Sequence, residues 1–322
     1  MAIAPRPRNH LNSAFRHEAF LYADEHEFLV GTASFVRDGL DAGEPVLVVV
    51  AADKIRLLRE VLGDRADQAV FADMDVIGRN PGRILHAWYD FAGRHVGAGR
   101  PARGVGEPVF PERGADELVE CQRHERLLNL AFDGGPAWWL MCPYDARALP
   151  GSVIDEARRS HPVLRLDGEL YGNGRYQPLD PDEPFAAPLD AAPSDHREHR
   201  LTPESVADAR AFVRRNALRA GLGPGRSQDL VVAVGELVAN TLQHGGGQGL
   251  LRSWCVDDGV VHEVVDTGII EDPLVGRRLP DPDEDGGRGL WLVNQLCDLV
   301  ELRWDAGGTV VRVHMRRGPA HA

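Results

Sequence analysis

The sequence predicts an α/β fold class with two domains: an N-terminal three-layer domain on a mainly parallel sheet, and a C-terminal two-layer α/β sandwich. Three observations support this prediction. Apolar runs alternate with amphipathic helical segments in the first half, a proline-rich stretch interrupts the chain after its middle, and helices then alternate with two hairpin patterns. A chain of 322 residues is long enough for two domains of ordinary size.

In the N-terminal half, strands and helices are predicted in alternation. Residues 45–51 and 138–142 are short apolar runs between turn residues, typical of strands buried on both faces of a parallel sheet. Residues 15–39 carry apolar side chains at three- and four-residue steps and predict a helix. Further helices are predicted over 53–62, 84–96, 116–132 and 152–160. This alternation is typical of an open, mainly parallel sheet.

The domain boundary is predicted in residues 172–200, because prolines accumulate there. They are Pro178, Pro181, Pro184, Pro188 and Pro193. Such a composition is typical of an extended linker. We therefore expect a first domain over 14–171 and a second over 201–317.

The second domain is predicted as two helices, a hairpin, a long polar connection, a short helix and a final hairpin, with a mixed or antiparallel sheet. Ser227 is the predicted N-cap of the longer helix, residues 228–244. The first hairpin joins strands 250–256 and 260–266. Residues 269–285 are too long and too polar for a plain connection, which is typical of an active-site lid.

Composition argues against several classes of protein. The net charge of -13 argues against a broad nucleic-acid binder, because the phosphate backbone would repel it, and no basic helix-turn-helix is visible. No apolar run approaches the roughly 18 residues of a membrane helix, and residues 1–12 lack the apolar core of a secretory signal. The four cysteines form no CxxC pair, which favours reduced core thiols. We expect a cytoplasmic protein with no membrane contact.

The helix predicted over 228–244 carries the first candidate site. Glu236 and Asn240 are four residues apart and project from one helical face. An asparagine oxygen can join the octahedral shell of Mg²⁺, and a nearby glutamate can accept a proton from an attacking hydroxyl. Together they suit phosphoryl transfer. The alternative is the ordinary polar face of an amphipathic helix.

Two later segments favour phosphoryl transfer. Asp266 ends an apolar strand, where its carboxylate can accept a hydrogen bond from an exocyclic amine such as that of adenine, and Gly268 turns the chain beside it. Gly287-Arg288-Gly289 precedes a helix whose first backbone N–H groups favour phosphate. An ExxxN helix, a strand ending in DxG, an acidic lid and a GxG before a helix, in this order, predict a nucleotide pocket.

With these segments, residues 200–316 resemble the GHKL ATPases, which have the Bergerat fold, and within them the anti-sigma-factor serine kinases. Glu236 to Asn240 with His244-Gly245 match the family's N box. The resemblance implies ATP and Mg²⁺ as cofactors, Asn240 as magnesium ligand, Glu236 as catalytic base and Asp266 as the adenine contact. The other nucleotide-binding residues that it implies are His244, Gly268, Gly287, Arg288, Gly289, Leu290 and Thr309.

Two features depart from that family. Ile270 stands where the family often has a glycine. The predicted lid is also unusually acidic, which should repel phosphate. Its acidic residues are Asp272, Asp281, Asp283, Glu284 and Asp285. Nucleotide binding without efficient turnover is therefore an alternative to kinase activity.

The first domain carries polar residues at predicted strand ends and helix faces. Glu120 and His124 are four apart, as metal ligands on a helix can be, but no third ligand is evident. A solvated or internally paired helix face is the alternative. The domain has no GxxxxGK[ST] loop and so no ordinary P-loop for nucleotide.

Several stretches of the first domain match a known sensory family. They are His17 to Tyr22, Gly39 to Val50, Asn80 to Gly82, Arg103 to Pro108, Glu117 to Phe132, Cys142 to Asp145 and His161-Pro162. On these stretches, residues 14–178 resemble the MEDS domain, named for methanogen and methylotroph regulators. The resemblance implies a sensor of small molecules. The ligand contacts that it implies are His17, Tyr22, Glu107, His124, Cys142 and Tyr144.

Together, the two resemblances imply a cytoplasmic signalling switch. The sensor would control an ATP-dependent serine kinase that phosphorylates an anti-sigma-factor antagonist, or a protein that sequesters a sigma factor. Family kinases commonly dimerise, so a homodimer is compatible. One alternative is an ATP-gated binding protein without kinase turnover. The other is a histidine kinase, but His196 and His199 lie in the proline-rich stretch and not on a long helical hairpin.

Overall fold

The computed structural model describes residues 14–96, 101–135, 137–166, 168–178, 187–280 and 287–318. The chain divides into two compact units. The first comprises Met1–Gly78 and Ala87–Leu179, and the second comprises Arg79–His86 and Asp180–Ala322. Among the described residues, no helix has both the length and the apolar character needed to cross a membrane.

A seven-stranded sheet forms the centre of the first unit. Its strands are β1 (Phe15–Tyr22), β2 (Val46–Val50), β3 (Val70–Asp73), β4 (Ala102–Gly106), β5 (Trp138–Asp145), β6 (Val163–Leu166) and β7 (Glu169–Gly172). They lie in the order β3-β2-β4-β5-β1-β6-β7. All neighbours are parallel except β7, which pairs antiparallel with β6 at the edge.

Helices cover both faces of this sheet. They are α1 (Glu25–Asp41), α2 (Ala52–Leu62), α3 (Met74–Ile77), α4 (Ile84–His95), α5 (Ala115–Ala131) and α6 (Gly151–Ser160). The chain crosses the sheet in one direction from β1 to β3 and in the other from β3 to β6. Because such crossovers are right-handed, α1 and α2 lie on one face and α4 to α6 on the other; α1 packs on α2, and α5 on α6. The predicted three-layer, mainly parallel domain is therefore confirmed.

The prediction of one helix over residues 15–39 was wrong in its first part. Residues 15–22 form β1, between β5 and β6, and α1 begins only after the N-cap Asp24, whose side chain accepts from the amide of Glu27 at 2.9 Å. The strand was not recognised in the sequence because its middle contains two polar residues, His17 and Glu18, which are fully buried. Their positions break the continuous apolar run that marks β2 and β5.

The second unit is a five-stranded antiparallel sheet packed against helices. Its strands are β8 (Arg197–Leu201), β9 (Gly249–Val256), β10 (Gly259–Asp266), β11 (Leu299–Asp305) and β12 (Gly308–Arg316), in the order β11-β12-β10-β9-β8. Its helices are α7 (Val206–Arg219), α8 (Pro224–His244) and α9 (Arg288–Leu296), and α8 packs on both others. The predicted two-layer α/β sandwich is confirmed.

Two local features of this unit differ from the sequence prediction. Helix α8 begins at Pro224 after the N-cap Gly223, so Ser227 lies inside the helix. Proline suits the first helical position because it has no N–H to leave unpaired. Strand β8 lies at the end of the stretch predicted as linker, where alternating charged and polar side chains concealed an edge strand that pairs with β9.

Candidate functional site

Helix α8 presents the two polar side chains predicted as catalytic base and magnesium ligand. Glu236 and Asn240 are half-buried, whereas Leu237 and Val238 between them are buried in the core. The helix ends at His244, which is exposed, and the amide of Gly245 closes it by donating to the carbonyls of Asn240 and Thr241. The core stripe of α8 therefore fixes the face on which both polar groups stand.

The carboxylate of Asp266 is held in place at the end of β10. Thr241 on α8 donates its hydroxyl to Oδ2 at 2.7 Å, and the amide of Gly268 donates to Oδ1 at 2.9 Å. A carboxylate has about four acceptor positions, so each oxygen keeps a lone pair for an outside donor. This arrangement suits recognition of an exocyclic amine by an oriented carboxylate.

The turn after Asp266 packs closely on the end of α8, and glycine permits this. A side chain at Gly268 would begin 2.8 Å from the carbonyl oxygen of His244 and 3.0 Å from the Cα of Gly245. Thr309 lies opposite Asp266 in the β10–β12 pairing, and its hydroxyl donates to the carbonyl of Gly268 at 2.6 Å. The predicted Asp266, Gly268 and Thr309 thus belong to one structural element.

The start of α9 comes directly against the polar face of α8. Gly287, with φ +76°, is the N-cap and offers no side-chain cap, and Arg288 is exposed. A side chain at Gly289 would begin 3.0 Å from Oε2 of Glu236 and 3.5 Å from both amide atoms of Asn240. Leu290, the next residue, packs against the chain at Gly276.

These contacts form two groups along α8, and we refer to both together as the ATPase cleft. In one group, Glu236 and Asn240 lie against the start of α9, and in the other, Asp266, Gly268 and Thr309 lie at the end of α8. The carboxylate of Glu236 and the amide of Asn240 face the glycine-rich start of α9, where backbone N–H groups lack intrahelical partners and favour phosphate. An amide oxygen is a hard ligand suited to Mg²⁺. The predicted acidic residues Asp281, Asp283, Glu284 and Asp285 lie outside the described residues, and Asp272 is exposed.

In the first unit, two predicted sensor contacts meet where β1 and β4 end. The hydroxyl of Tyr22 donates to Oε1 of Glu107 at 2.7 Å, and Nζ of Lys54 donates to both carboxylate oxygens at 2.6 and 2.7 Å. Burial raises the pKa of Glu107, against the opposing charge of Lys54, and burial also raises the pKa of Tyr22. Open α/β sheets bind ligands at this edge.

The four other predicted contacts lie elsewhere in the first unit. Nε2 of His17 on β1 is 3.3 Å from Sγ of Cys142 on β5, and both side chains are buried. The ring of Tyr144 meets that of His161 edge-on, with centroids 5.5 Å apart. His124 is buried on α5, where Glu120 pairs with Arg123 at 2.6 Å. Among the described residues, Glu120 and His124 do not join a group of metal-ligating side chains.

Comparison with known families gives a separate match for each half of the chain. The model of the MEDS family, the methanogen/methylotroph and DcmR sensory domain, matches residues 16–162. The model of the histidine kinase-like ATPase domain matches residues 200–315. The chain carries a MEDS domain followed by a histidine kinase-like ATPase domain. An ATPase domain of this kind implies ATP binding, usually with Mg²⁺.

Comparisons with individual proteins add little to these family matches. No curated protein sequence matches this chain. A solved structure of the RsbU and RsbW domains of Rv1364c from Mycobacterium tuberculosis is 23% identical, with a TM-score of 0.31. The similarity covers 40% of this chain, and it spans only 34% of that one. At these values, it supports no statement about function.

Some residues of both domains were missed by sequence reasoning. In the ATPase domain, Thr241 orients Asp266 from the neighbouring helix. In the MEDS domain, Lys54 completes the Tyr22–Glu107 pair, and it is the only lysine of the chain, a signal that could have singled it out. Glu125 and His161, which contact each other beside His17 and Cys142, gave no signal of that kind.

Proposed function

We propose that this protein is a cytoplasmic signalling regulator whose ATPase domain binds Mg-ATP and acts as a protein serine kinase of the anti-sigma-factor type. A small-molecule ligand of the MEDS domain controls it. The substrate is a protein antagonist of an anti-sigma factor, and the same domain can sequester a sigma factor. The observation that carries the proposal is the approach of Gly289 to both Glu236 and Asn240.

Each group of the cleft has a role in this proposal. Asn240 binds Mg²⁺ through its amide oxygen, and Glu236 accepts the proton of the attacking serine hydroxyl. The backbone from Gly287 to Gly289 binds the phosphates at the start of α9. Asp266 accepts a hydrogen bond from the amine of adenine, and Thr309 holds the Asp266 turn in position. His244, Arg288 and Leu290 also contact the nucleotide in this proposal.

The geometry favours this role over that of a histidine kinase. A phospho-accepting histidine needs an exposed position on a helical hairpin. His199 instead lies in β8, with its ring stacked on Phe212 at a centroid distance of 5.6 Å. His196 precedes the same strand, and its ring contacts Pro193 and Glu198. Neither histidine lies on a helix.

Label transfer tests the kinase proposal directly. Proteins that bind the purified full chain in an ATP-dependent manner are first isolated from cell extract and identified. Each is then incubated with the full chain, Mg²⁺ and ATP labelled at the γ-phosphate. We expect label on a serine of the partner. Glu236→Gln should keep ATP binding and lose transfer, because the amide has the same shape but cannot accept the proton.

Two further variants separate binding from chemistry. Asn240→Ala should lose both Mg-ATP binding and transfer. Gln228→Ala should keep both, because this substitution removes the same kind of amide from an exposed position about 18 Å from Asn240 along α8. Transfer that survives in Glu236→Gln contradicts the assigned base.

An ATP-gated regulator without turnover is the second candidate. It is favoured by Ile270, which stands where the GHKL family often has a glycine. In that case the wild-type chain binds ATP and its partner but transfers no label. The regulatory effect of the protein in cells would then be retained in the Glu236→Gln variant and lost in the Asn240→Ala variant.

A further inference from the structure

Four buried side chains of the MEDS domain converge without belonging to the ATP cleft. His17, Glu125, Cys142 and His161 offer ligand atoms that all lie within 4.8 Å of one another. Their exposed fractions are 0%, 1%, 1% and 0%. They come from β1, α5, β5 and the C-cap of α6, four separate segments of the chain.

The distances within this group match those between ligands of a small ion. Nε2 of His17 is 2.9 Å from Oε2 of Glu125 and 3.3 Å from Sγ of Cys142. Nε2 of His161 is 3.3 Å from the same carboxylate oxygen. In a tetrahedral zinc site with bonds of about 2.0 Å to nitrogen and oxygen, neighbouring ligand atoms lie about 3.3 Å apart.

The hydrogen bonds of His17 leave its Nε2 bare toward the group. The amide nitrogen of Asn129 donates to the carbonyls of Ser160 at 2.7 Å and Glu125 at 3.4 Å, which fixes the orientation of the amide. Its oxygen therefore faces Nδ1 of His17 at 3.2 Å, and Nδ1 must carry the proton. In a neutral imidazole, Nε2 then has a free lone pair.

His161 has the same arrangement. Its Nδ1 is 2.8 Å from the carbonyl oxygen of Ala157, which can only accept, so Nδ1 is the donor. Among the described residues, neither Nε2 of His161 nor Oε1 of Glu125 has a hydrogen-bond partner. A histidine that donates one ring N–H to a carbonyl or amide oxygen and turns the other nitrogen inward is typical of a metal ligand.

The charges of this group favour a bound cation. Two bare imidazole nitrogens facing a carboxylate repel it, and an unpaired charge without water is costly. One divalent cation with neutral His17 and His161, ionised Glu125 and the thiolate of Cys142 gives a net charge of zero.

We propose that the MEDS domain binds a zinc-type divalent transition-metal ion through His17, Glu125, Cys142 and His161. Four protein ligands fill a tetrahedral shell, so the site is structural and closed rather than catalytic. It ties two central strands, β1 and β5, to helix α5 and to the end of α6. When the metal binds, the Cys142 thiol releases its proton to solvent and the sulfur becomes a thiolate ligand.

Metal analysis and cobalt substitution test this site in the full-length chain. We expect one equivalent of zinc after refolding or reconstitution with Zn²⁺ alone. With Co²⁺ as the probe, we expect the intense visible bands of a tetrahedral site and a sulfur-to-cobalt charge-transfer band. Cys142→Ala should lose the charge-transfer band. The matched control Cys121→Ala removes another fully buried thiol of the same domain and should keep it.

A second variant guards against misfolding of the first. His161→Gln should lower the affinity for Co²⁺ at least tenfold, while circular dichroism reports whether each variant is folded. The absence of stoichiometric zinc and of cobalt bands in the wild-type chain would overturn the proposal. So would a charge-transfer band that survives in folded Cys142→Ala, because the metal would then be bound at another cysteine.

Discussion

The ATPase cleft and the four-residue group of the MEDS domain are built in opposite ways. Glu236 and Asn240 are half-buried, and their polar atoms face the glycine-rich start of α9. His17, Glu125, Cys142 and His161 are buried, and each directs one ligand atom toward the other three. A site that exchanges a ligand must leave its polar groups accessible, whereas a closed group must neutralise them internally. We expect substitutions in the first to change binding and those in the second to change stability.

The Tyr22–Lys54–Glu107 cluster sharpens this contrast, because it is a closed group with one partly exposed member. Lys54→Met keeps an unbranched apolar side chain but removes the ammonium group that lies over the Tyr22 and Phe28 rings, and it leaves the 2% exposed Glu107 without its cation. We expect a loss of about 3 kcal/mol in the free energy of unfolding, at the low end for a buried pair because the Lys54 side chain is 23% exposed.

Chemical denaturation measures this loss, and a neighbouring pair supplies the control. Arg56→Met breaks the Arg56–Glu60 pair on the same helix, whose side chains are 64% and 63% exposed. It should change stability by no more than about 0.5 kcal/mol. Equal losses of unfolding free energy in the two variants would contradict the prediction that the burial of Glu107 makes its pairing with Lys54 important for stability.

In the ATPase cleft, one added methyl group should affect binding and leave stability largely unchanged. Gly289→Ala places a Cβ 3.0 Å from Oε2 of Glu236 and 3.5 Å from the Asn240 amide, in the space assigned to phosphate and Mg²⁺. We expect the Kd for Mg-ATP to rise about tenfold, equivalent to about 1.4 kcal/mol. Titration calorimetry measures it.

Gly235→Ala is the matched control for that variant. This glycine precedes Glu236 in α8, and no atom lies within 4 Å of a Cβ added there. Alanine should stabilise the helix by about 0.5–1 kcal/mol and leave the affinity for ATP unchanged. If Gly235→Ala and Gly289→Ala weaken ATP binding equally, the effect of Gly289→Ala does not come from direct contact between the added methyl group and the nucleotide.

A further expected effect is a pH dependence of stability, and it concerns a buried group that belongs to neither site. His262 on β10 is fully buried, and burial lowers its pKa to about 3. The folded state keeps it neutral, whereas the unfolded chain takes up a proton below about pH 6.5. The stability it contributes is therefore present above pH 6.5 and is lost as the pH falls toward 3, by at most about 1.4 kcal/mol per pH unit.

The slope of stability between pH 6.5 and 5 measures this contribution. His262→Leu should have a shallower slope than the wild-type chain. A substitution of the exposed His26 to leucine serves as the control and should leave the slope nearly unchanged. An unchanged slope in His262→Leu would show that this histidine does not remain neutral in the folded state.

How much the sequence could predict follows from how far apart the partners lie. Glu236 and Asn240 are one helical turn apart, so their common face follows from helix geometry alone. The ordered segments around Asp266 and Gly289 are what predicts the rest of the nucleotide site. His17, by contrast, lies 108 residues from Glu125 and 125 residues from Cys142, and only the strand order brings them together.

The same reasoning explains the errors in the fold. Strands β2 and β5 were predicted because continuous apolar runs mark buried parallel strands. Strand β1 was missed because it carries the buried polar residues His17 and Glu18, and strand β8 was missed because it is a short edge strand. Polar residues inside a central strand make sense only after their partners on other segments are known.

Calorimetric titration of the full chain with ATP, with and without Mg²⁺, tests the central claim most directly. We predict Mg²⁺-dependent binding of one ATP per chain, lost in Asn240→Ala and retained in Gln228→Ala. No heat of binding with Mg-ATP in the folded wild-type chain, or equal affinity in wild type and Asn240→Ala, would contradict the account.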